Sequence, residues 1–163
     1  MTTIPTRIAA DLHRLVESED LGSSFFAAAA DHASSARRRA GWQALHELEI
    51  RTQAGVSAFL ERADLAIPST NAMADTLGRI GGSGLHLMPY GLQLRMVRET
   101  TTRYLPAFHR LARHYENTSE AKFFDYVVRH ELAIIEFTSH ALADAPACID
   151  PVLRLLDHPV PLN

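Results

Sequence analysis

The chain has 163 residues, of which 47% are hydrophobic and 21% charged, and its formal net charge is −3. This size fits one globular domain, and the weak charge without a basic tail argues against a nucleic-acid partner. A single cysteine excludes an internal disulfide, and no apolar run approaches the roughly 20 residues that cross a membrane. Since the N-terminal residues also lack the apolar core of a signal peptide, we expect a cytoplasmic protein.

Apolar residues recur with the helical period along almost the whole chain, whereas strand-like alternation is nearly absent. The pattern predicts four long helices, at about residues 7–33, 36–63, 89–115 and 119–143. Pro146 and Pro151 end the fourth helix, and a short apolar lid helix is expected at about residues 150–157.

The lengths of the connections favour one topology. Short breaks near Ser34 and Asn117 make helices 1 and 2, and helices 3 and 4, antiparallel neighbours. The stretch 64–88 is long and rich in glycine, with one short helix expected at 71–77. It is long enough to follow a helix of about 40 Å from end to end. We therefore predict a single-domain, all-α four-helix bundle with one long crossover between helices 2 and 3; an up-down bundle with an inserted loop is the alternative.

Glutamates interrupt the apolar stripes of three of these helices. Glu19, Glu49 and Glu131 each occupy a stripe position near the middle of a different helix. A carboxylate in an apolar core is costly unless it is paired, protonated or bound to a metal ion. Helix 3 carries Glu99 near its own midpoint, although this residue lies off the apolar stripe.

These four acids and their helices resemble the ferritin-like superfamily of di-iron and di-manganese carboxylate proteins. The resemblance is carried by Glu19, by Glu49 in the segment 45–52, by Glu99, and by Glu131 in the segment 121–134. It implies a ferritin-like bundle, acids that bridge two iron or manganese ions, and reactions with dioxygen or peroxide.

The chain departs from the family pattern at the histidines. Where the motif Glu-x-x-His would place them, this sequence has Thr52 and Ile134. His46 lies one turn before the acid of helix 2 and is a possible substitute ligand. His130 adjoins the acid of helix 4, about a quarter-turn away, and is not expected to restore the motif.

Two functional hypotheses follow, and the sequence leaves open whether the protein is an enzyme. In the first, the four acids and His46 form the carboxylate-rich dinuclear site of a metal-binding protein or an oxidoreductase, with Tyr104 as the nearest redox candidate. In the second, a metal-free bundle binds a small apolar ligand or acts as a scaffold, and the acids pair with hydroxyls, arginines or each other. A homodimer is expected in either case, because the apolar faces of helices 1 and 2 are broad.

Overall fold

A computed structural model describes residues 4–67, 84 and 87–162, and most of these residues are helical, with no strand among them. The described residues form five helices: α1 Thr6–Asp31, α2 Ala36–Arg62, α3 Tyr90–Tyr115, α4 Ala121–Leu142 and α5 Asp150–Leu156. The predicted all-α class is confirmed, and the predicted helix ends are correct to about two residues. Most of the predicted crossover, with its short helix at 71–77, lies outside the described residues. None of the described helices is both long and apolar enough to cross a membrane.

Local sequence signals account for several of the helix ends. The side chain of Ser35 accepts a hydrogen bond from the backbone N–H of Arg38 and so caps the start of α2. Asp64 and Asp144 follow the ends of α2 and α4 with φ angles of 52° and 53°. A left-handed residue at this position closes a helix, and aspartate tolerates that conformation better than most residues do.

Two apolar clusters fill the space between the helices, and we name each after its central aromatic residue. The Trp42 cluster joins the end of α1, the starts of α2 and α3 and the end of α4; it includes Phe26, Trp42, Leu45, Leu94, Val97, Ile134 and Phe137. The Phe59 cluster joins the opposite helix ends; it includes Leu12, Leu15, Val56, Phe59, Phe108, Leu111, Phe124 and Val127. Consequently α1 is antiparallel to α2, α3 is antiparallel to α4, and α2 and α3 start at the same end of the molecule.

Contacts between aromatic rings stabilise each of the two clusters. The ring of Trp42 stacks on Phe26 with centroids 5.7 Å apart, and it contacts Phe137 at 6.0 Å. In the other cluster, Phe124 meets the edge of Phe59 at 5.0 Å and stacks on Tyr115 at 4.4 Å. Such pairs add about 0.5–1.5 kcal/mol each beyond the area that they bury. The bundle is therefore densely packed near both ends.

A buried ion pair ties α1 to α3 beside the Phe59 cluster. Asp11 is fully buried and accepts two hydrogen bonds of 2.8 Å from the guanidinium of Arg110. Arg14, one turn along α1, donates a third bond of 2.8 Å. The bonds from Arg110 outweigh the effect of burial, so the pKa of Asp11 is lowered.

Replacing Asp11 with alanine should lower the free energy of unfolding by about 2–3 kcal/mol, because it leaves the Arg110 guanidinium without its carboxylate. The loss is smaller than for a fully buried pair, since Arg110 keeps some access to water. Arg14→Ala is the matched control and should cost less than about 1 kcal/mol, because that side chain is half exposed. Urea denaturation measures both values, and equal losses would contradict this assignment.

Candidate metal centre

A layer of polar side chains lies between the two apolar clusters, near the middle of the bundle. Each long helix contributes buried polar residues to it: Glu19 from α1, Glu49 and Thr52 from α2, Thr101 from α3, and Tyr126, His130 and Glu131 from α4. Along every helix these residues, except Tyr126, stand between side chains of the Trp42 cluster and side chains of the Phe59 cluster. The layer is therefore part of the interior and is closed off by apolar packing on both sides.

His130 lies among the three glutamates. Its Nε2 is 3.4 Å from Oε1 of Glu49, and its Nδ1 is 3.8 Å from Oε1 of Glu19. One ligand atom each from Glu19, His130 and Glu131 lies within 4.8 Å of the other two. The relative exposures of the four residues are 1% for Glu19, 3% for Glu49, 0% for His130 and 4% for Glu131. Three carboxyls and one imidazole thus converge where water has almost no access.

Many polar atoms of this group lack hydrogen-bond partners among the described residues. They are both carboxylate oxygens of Glu19, Oε2 of Glu49 and both ring nitrogens of His130. The neighbouring hydroxyls are already engaged: Thr52 donates to the carbonyl of Leu48 at 2.9 Å, and Tyr126 lies 3.2 Å from the Thr52 hydroxyl. Since buried polar groups are almost always paired, these atoms need a proton, a water molecule or an ion as a partner.

Burial raises the pKa of all three carboxyls. For Glu131 the pKa rises to about 8, mainly through desolvation, although the nearby charge of His130 opposes the rise. The pKa of Glu19 lies well above its ordinary value because of burial and then the charge of Glu49. Burial also raises the pKa of Glu49 well above its ordinary value. A protonated Glu19 can donate a hydrogen bond to Glu49, so protons stabilise the cluster when no cation is bound.

Gly22 makes room for the carboxyl of Glu49. A Cβ atom at Gly22 would lie 2.5 Å from Oε1 and 2.7 Å from Cδ of Glu49. These separations are too short for non-bonded atoms, so any larger residue at this position of α1 would displace the Glu49 carboxyl. Gly22 thus accommodates a side chain of the polar layer.

The structure brings together three of the acids predicted as ligands and excludes the fourth. Glu99 is exposed, because the inward-facing residues of α3 on either side of it are Val97 and Thr101. Its assignment to this site is therefore wrong. The place that a fourth acid would take in the layer is occupied by Thr101, which has no charge.

His46 and Tyr104 also differ from their predicted positions. Nδ1 of His46 lies 3.1 Å from the carbonyl oxygen of Ser23, and a hydrogen bond between them requires a proton on that nitrogen. It is thus held outside the cluster and is not a ligand in this arrangement. Tyr104 donates a hydrogen bond of 3.4 Å to Glu17, and burial raises its pKa. It contributes to the lining of the same cavity as Glu49 and Glu131, whereas the tyrosine within the polar layer is Tyr126, whose hydroxyl lies 3.2 Å from that of Thr52.

The histidine that sequence reasoning set aside, His130, is at the centre of the cluster. It was missed because the inward face of α4 was taken to be one narrow stripe. Helix α4 packs against α2, α3 and α5, so an arc wide enough to include both His130 and Glu131 is buried. Two other pairs of adjacent residues in α4, Phe123–Phe124 and Tyr126–Val127, are also buried. These adjacent aromatic and apolar residues were the sequence signal that the buried face of α4 is wide.

Metal-free Glu131→Gln protein should be more stable than the unchanged protein above about pH 5. The pKa of Glu131 is about 8 in the folded protein and 4.5 in the unfolded chain. Between these two pH values the folded protein therefore binds one proton more than the unfolded chain does. This proton contributes fully to the stability of the folded protein below pH 4.5, and the contribution is lost as the pH rises toward 8. Glutamine does not titrate, so the difference in free energy of unfolding between the two proteins should widen by about 1.4 kcal/mol per pH unit.

The measurement is urea denaturation between pH 5 and 8 in the presence of a chelator. Glu99→Gln is the matched control, because that carboxyl is exposed, and its stability should follow the unchanged protein at every pH. A gap for Glu131→Gln that stays constant across this range would contradict the assigned proton.

Comparisons of the chain with protein-family models, curated proteins and solved structures find no match in any of the three. The function must therefore be inferred from the chemistry of the cluster. That cluster consists of three carboxyls and one imidazole, all buried and mostly without hydrogen-bond partners among the described residues.

Proposed function

We propose that the protein binds a divalent metal ion in the polar layer of its bundle, and that iron or manganese is the physiological metal. The observation that carries this proposal is the convergence of Glu19, His130 and Glu131, with five buried ligand-type atoms of the cluster unpaired. A cation resolves the electrostatic problem of the layer, because it neutralises carboxylates that burial otherwise forces to keep their protons.

The distances suit direct coordination by three residues. Ligand atoms on opposite sides of an ion with bonds of about 2.1 Å are about 4.2 Å apart. The atoms of Glu19, His130 and Glu131 already lie within 4.8 Å of one another, so small side-chain rotations complete the site. We assign these three residues as the direct ligands.

Glu49 has a different role in this proposal. A histidine that binds a metal through one nitrogen usually donates the proton of its other nitrogen to a carboxylate, which orients the ring. Nδ1 of His130 faces Glu19, whereas Nε2 faces Glu49 at 3.4 Å. Glu49 is thus the carboxylate that accepts the Nε2 proton and orients the imidazole toward the ion.

The donor set favours some metals over others. Carboxylate oxygens suit manganese, magnesium and calcium, imidazole suits iron, zinc and copper, and the described cluster has no thiolate. Iron and manganese fit the mixture of two carboxylates and one imidazole best. Such an ion supplies oxidation–reduction chemistry toward dioxygen or peroxide, and the two apolar clusters keep bulk water from the site. We propose an oxidoreductase on this basis.

The ferritin-like topology implied by the resemblance belongs to the same proposal. The two antiparallel helix pairs and the common starting end of α2 and α3 support it. Since α2 ends and α3 begins at opposite ends of the bundle, one long crossover between them is the natural connection. The resemblance also implies two ions per chain, whereas the four clustered side chains favour one.

Elemental analysis of protein supplied separately with iron, manganese and zinc tests the site. We expect about one ion per chain in the unchanged protein and in Glu99→Gln, whose carboxyl lies outside the cluster. The Glu19→Gln/Glu131→Gln variant should bind none, because both negatively charged ligands are lost. Its neutral, similarly shaped side chains keep the bundle folded, which circular dichroism checks.

Each other outcome has a defined meaning. Two ions per chain would favour the dinuclear site of the resemblance over a single ion. No metal in any protein would overturn the proposal and favour the metal-free bundle, in which protons alone hold the carboxyls together. Equal metal in the double variant would show that binding occurs elsewhere on the chain.

Gly22→Ala should weaken metal binding without altering a ligand, because the new Cβ displaces the carboxyl of Glu49. Loss of such an orienting carboxylate typically lowers metal affinity by about 10- to 100-fold, and we expect a similar loss from competition titrations with a chelator. Gly91→Ala is the matched control, since its Cβ would meet only Leu142 at 4.0 Å. Affinity should be unchanged there, and equal affinities in both variants would refute the role of Glu49.

A further inference from the structure

A cavity of about 100 Å³ lies between α1 and α3 and reaches the polar layer. Its walls are mainly apolar, with Leu21 and Phe25 from α1, Met96 and Val97 from α3, and Ile134 from α4. At its outer side the lining includes partly exposed residues, among them Thr100. The cavity therefore connects the helix surface with the centre of the bundle.

The inner part of the cavity is polar. Glu49 and Glu131 contribute to its lining, together with the hydroxyl-bearing residues Thr101 and Tyr104. Oε2 of Glu49 is buried and has no hydrogen-bond partner among the described residues. An apolar space that leads to an unpaired buried oxygen suits a ligand with one hydrogen-bonding end and an apolar body.

We infer that this cavity binds a small, uncharged molecule with a short apolar chain and a single hydroxyl group, of the kind represented by a short primary alcohol. The hydroxyl donates to the carboxyl of Glu49, and the chain lies against Phe25, Met96 and Val97. Binding of this ligand requires only the residues of the cavity and no metal ion. The identity of this ligand as a substrate rests on the proposed metal site, which would share Glu131 with the lining of the cavity.

Size limits the ligand. An apolar cavity of about 150 Å³ in another protein accommodates benzene, which has six non-hydrogen atoms. About 100 Å³ should accordingly hold about four or five non-hydrogen atoms, which matches 1-butanol and excludes the whole length of 1-octanol. A charged ligand is disfavoured, because the apolar walls would desolvate it before it reached the carboxyls.

Nitrogen–proton correlation spectra of the metal-free protein, titrated with 1-butanol and 1-octanol, test this inference. For 1-butanol we expect saturable shifts at residues of the cavity, with a dissociation constant on the order of 1 mM. Thr100→Phe should weaken binding at least tenfold, because the larger side chain fills the outer part of the cavity. Thr102→Phe is the matched control, since Thr102 is exposed on the same helix and lies outside the lining, and it should bind as the unchanged protein does.

The absence of saturable shifts, binding in Thr100→Phe equal to that in Thr102→Phe, or equally tight binding of both alcohols would overturn the inference. The comparison of the two alcohols in the unchanged protein requires no variant, so it decides the question even where Thr100→Phe is poorly folded. Metal content measured on the same protein separates the two proposals. Alcohol binding without metal binding would overturn only the proposal of a metal site, and metal binding without alcohol binding would overturn only the proposal of a cavity ligand.

Discussion

The interior of this protein is organised around the burial of three carboxyls and one imidazole in the middle of a helical bundle. An ionised group removed from water loses hydration energy that an apolar environment does not replace. The four side chains must therefore share protons or a cation, and this requirement forces them close together. The raised pKa values of Glu19, Glu49 and Glu131 express the same constraint.

The two apolar clusters make such a layer tolerable. Each contains stacked and edge-on aromatic rings contributed by several helices, and the stabilisation from this packing offsets the cost of the polar centre. Because the clusters lie on either side of the layer, they keep water from it along the axis of the bundle. The same apolar walls that make the acids costly make any cation bound there hard to displace.

Small residues and cavities give the layer its access and its shape. Gly22 leaves space in α1 for the Glu49 carboxyl, and the cavity between α1 and α3 reaches the same carboxyl from the surface. Glu49 thus lies between His130 on one side and the cavity on the other. A single side chain there connects the proposed metal ion to the proposed ligand.

The sequence by itself determined the helices and the depth of the acids. Helical periodicity and the breaks at Ser34 and Asn117 depend on neighbouring residues, so the helix ends were predictable to about two residues. The stripe positions of Glu19, Glu49 and Glu131 likewise follow from spacing along one helix, and all three proved to be buried. Only the tertiary structure decided how wide each buried face is. The packing of α4 against three other helices turned His130 inward, whereas Glu99 and His46 were excluded by the directions in which their own helices face. The cavity between α1 and α3 depends in the same way on how separate helices meet, a relation that the spacing of residues along one helix does not contain.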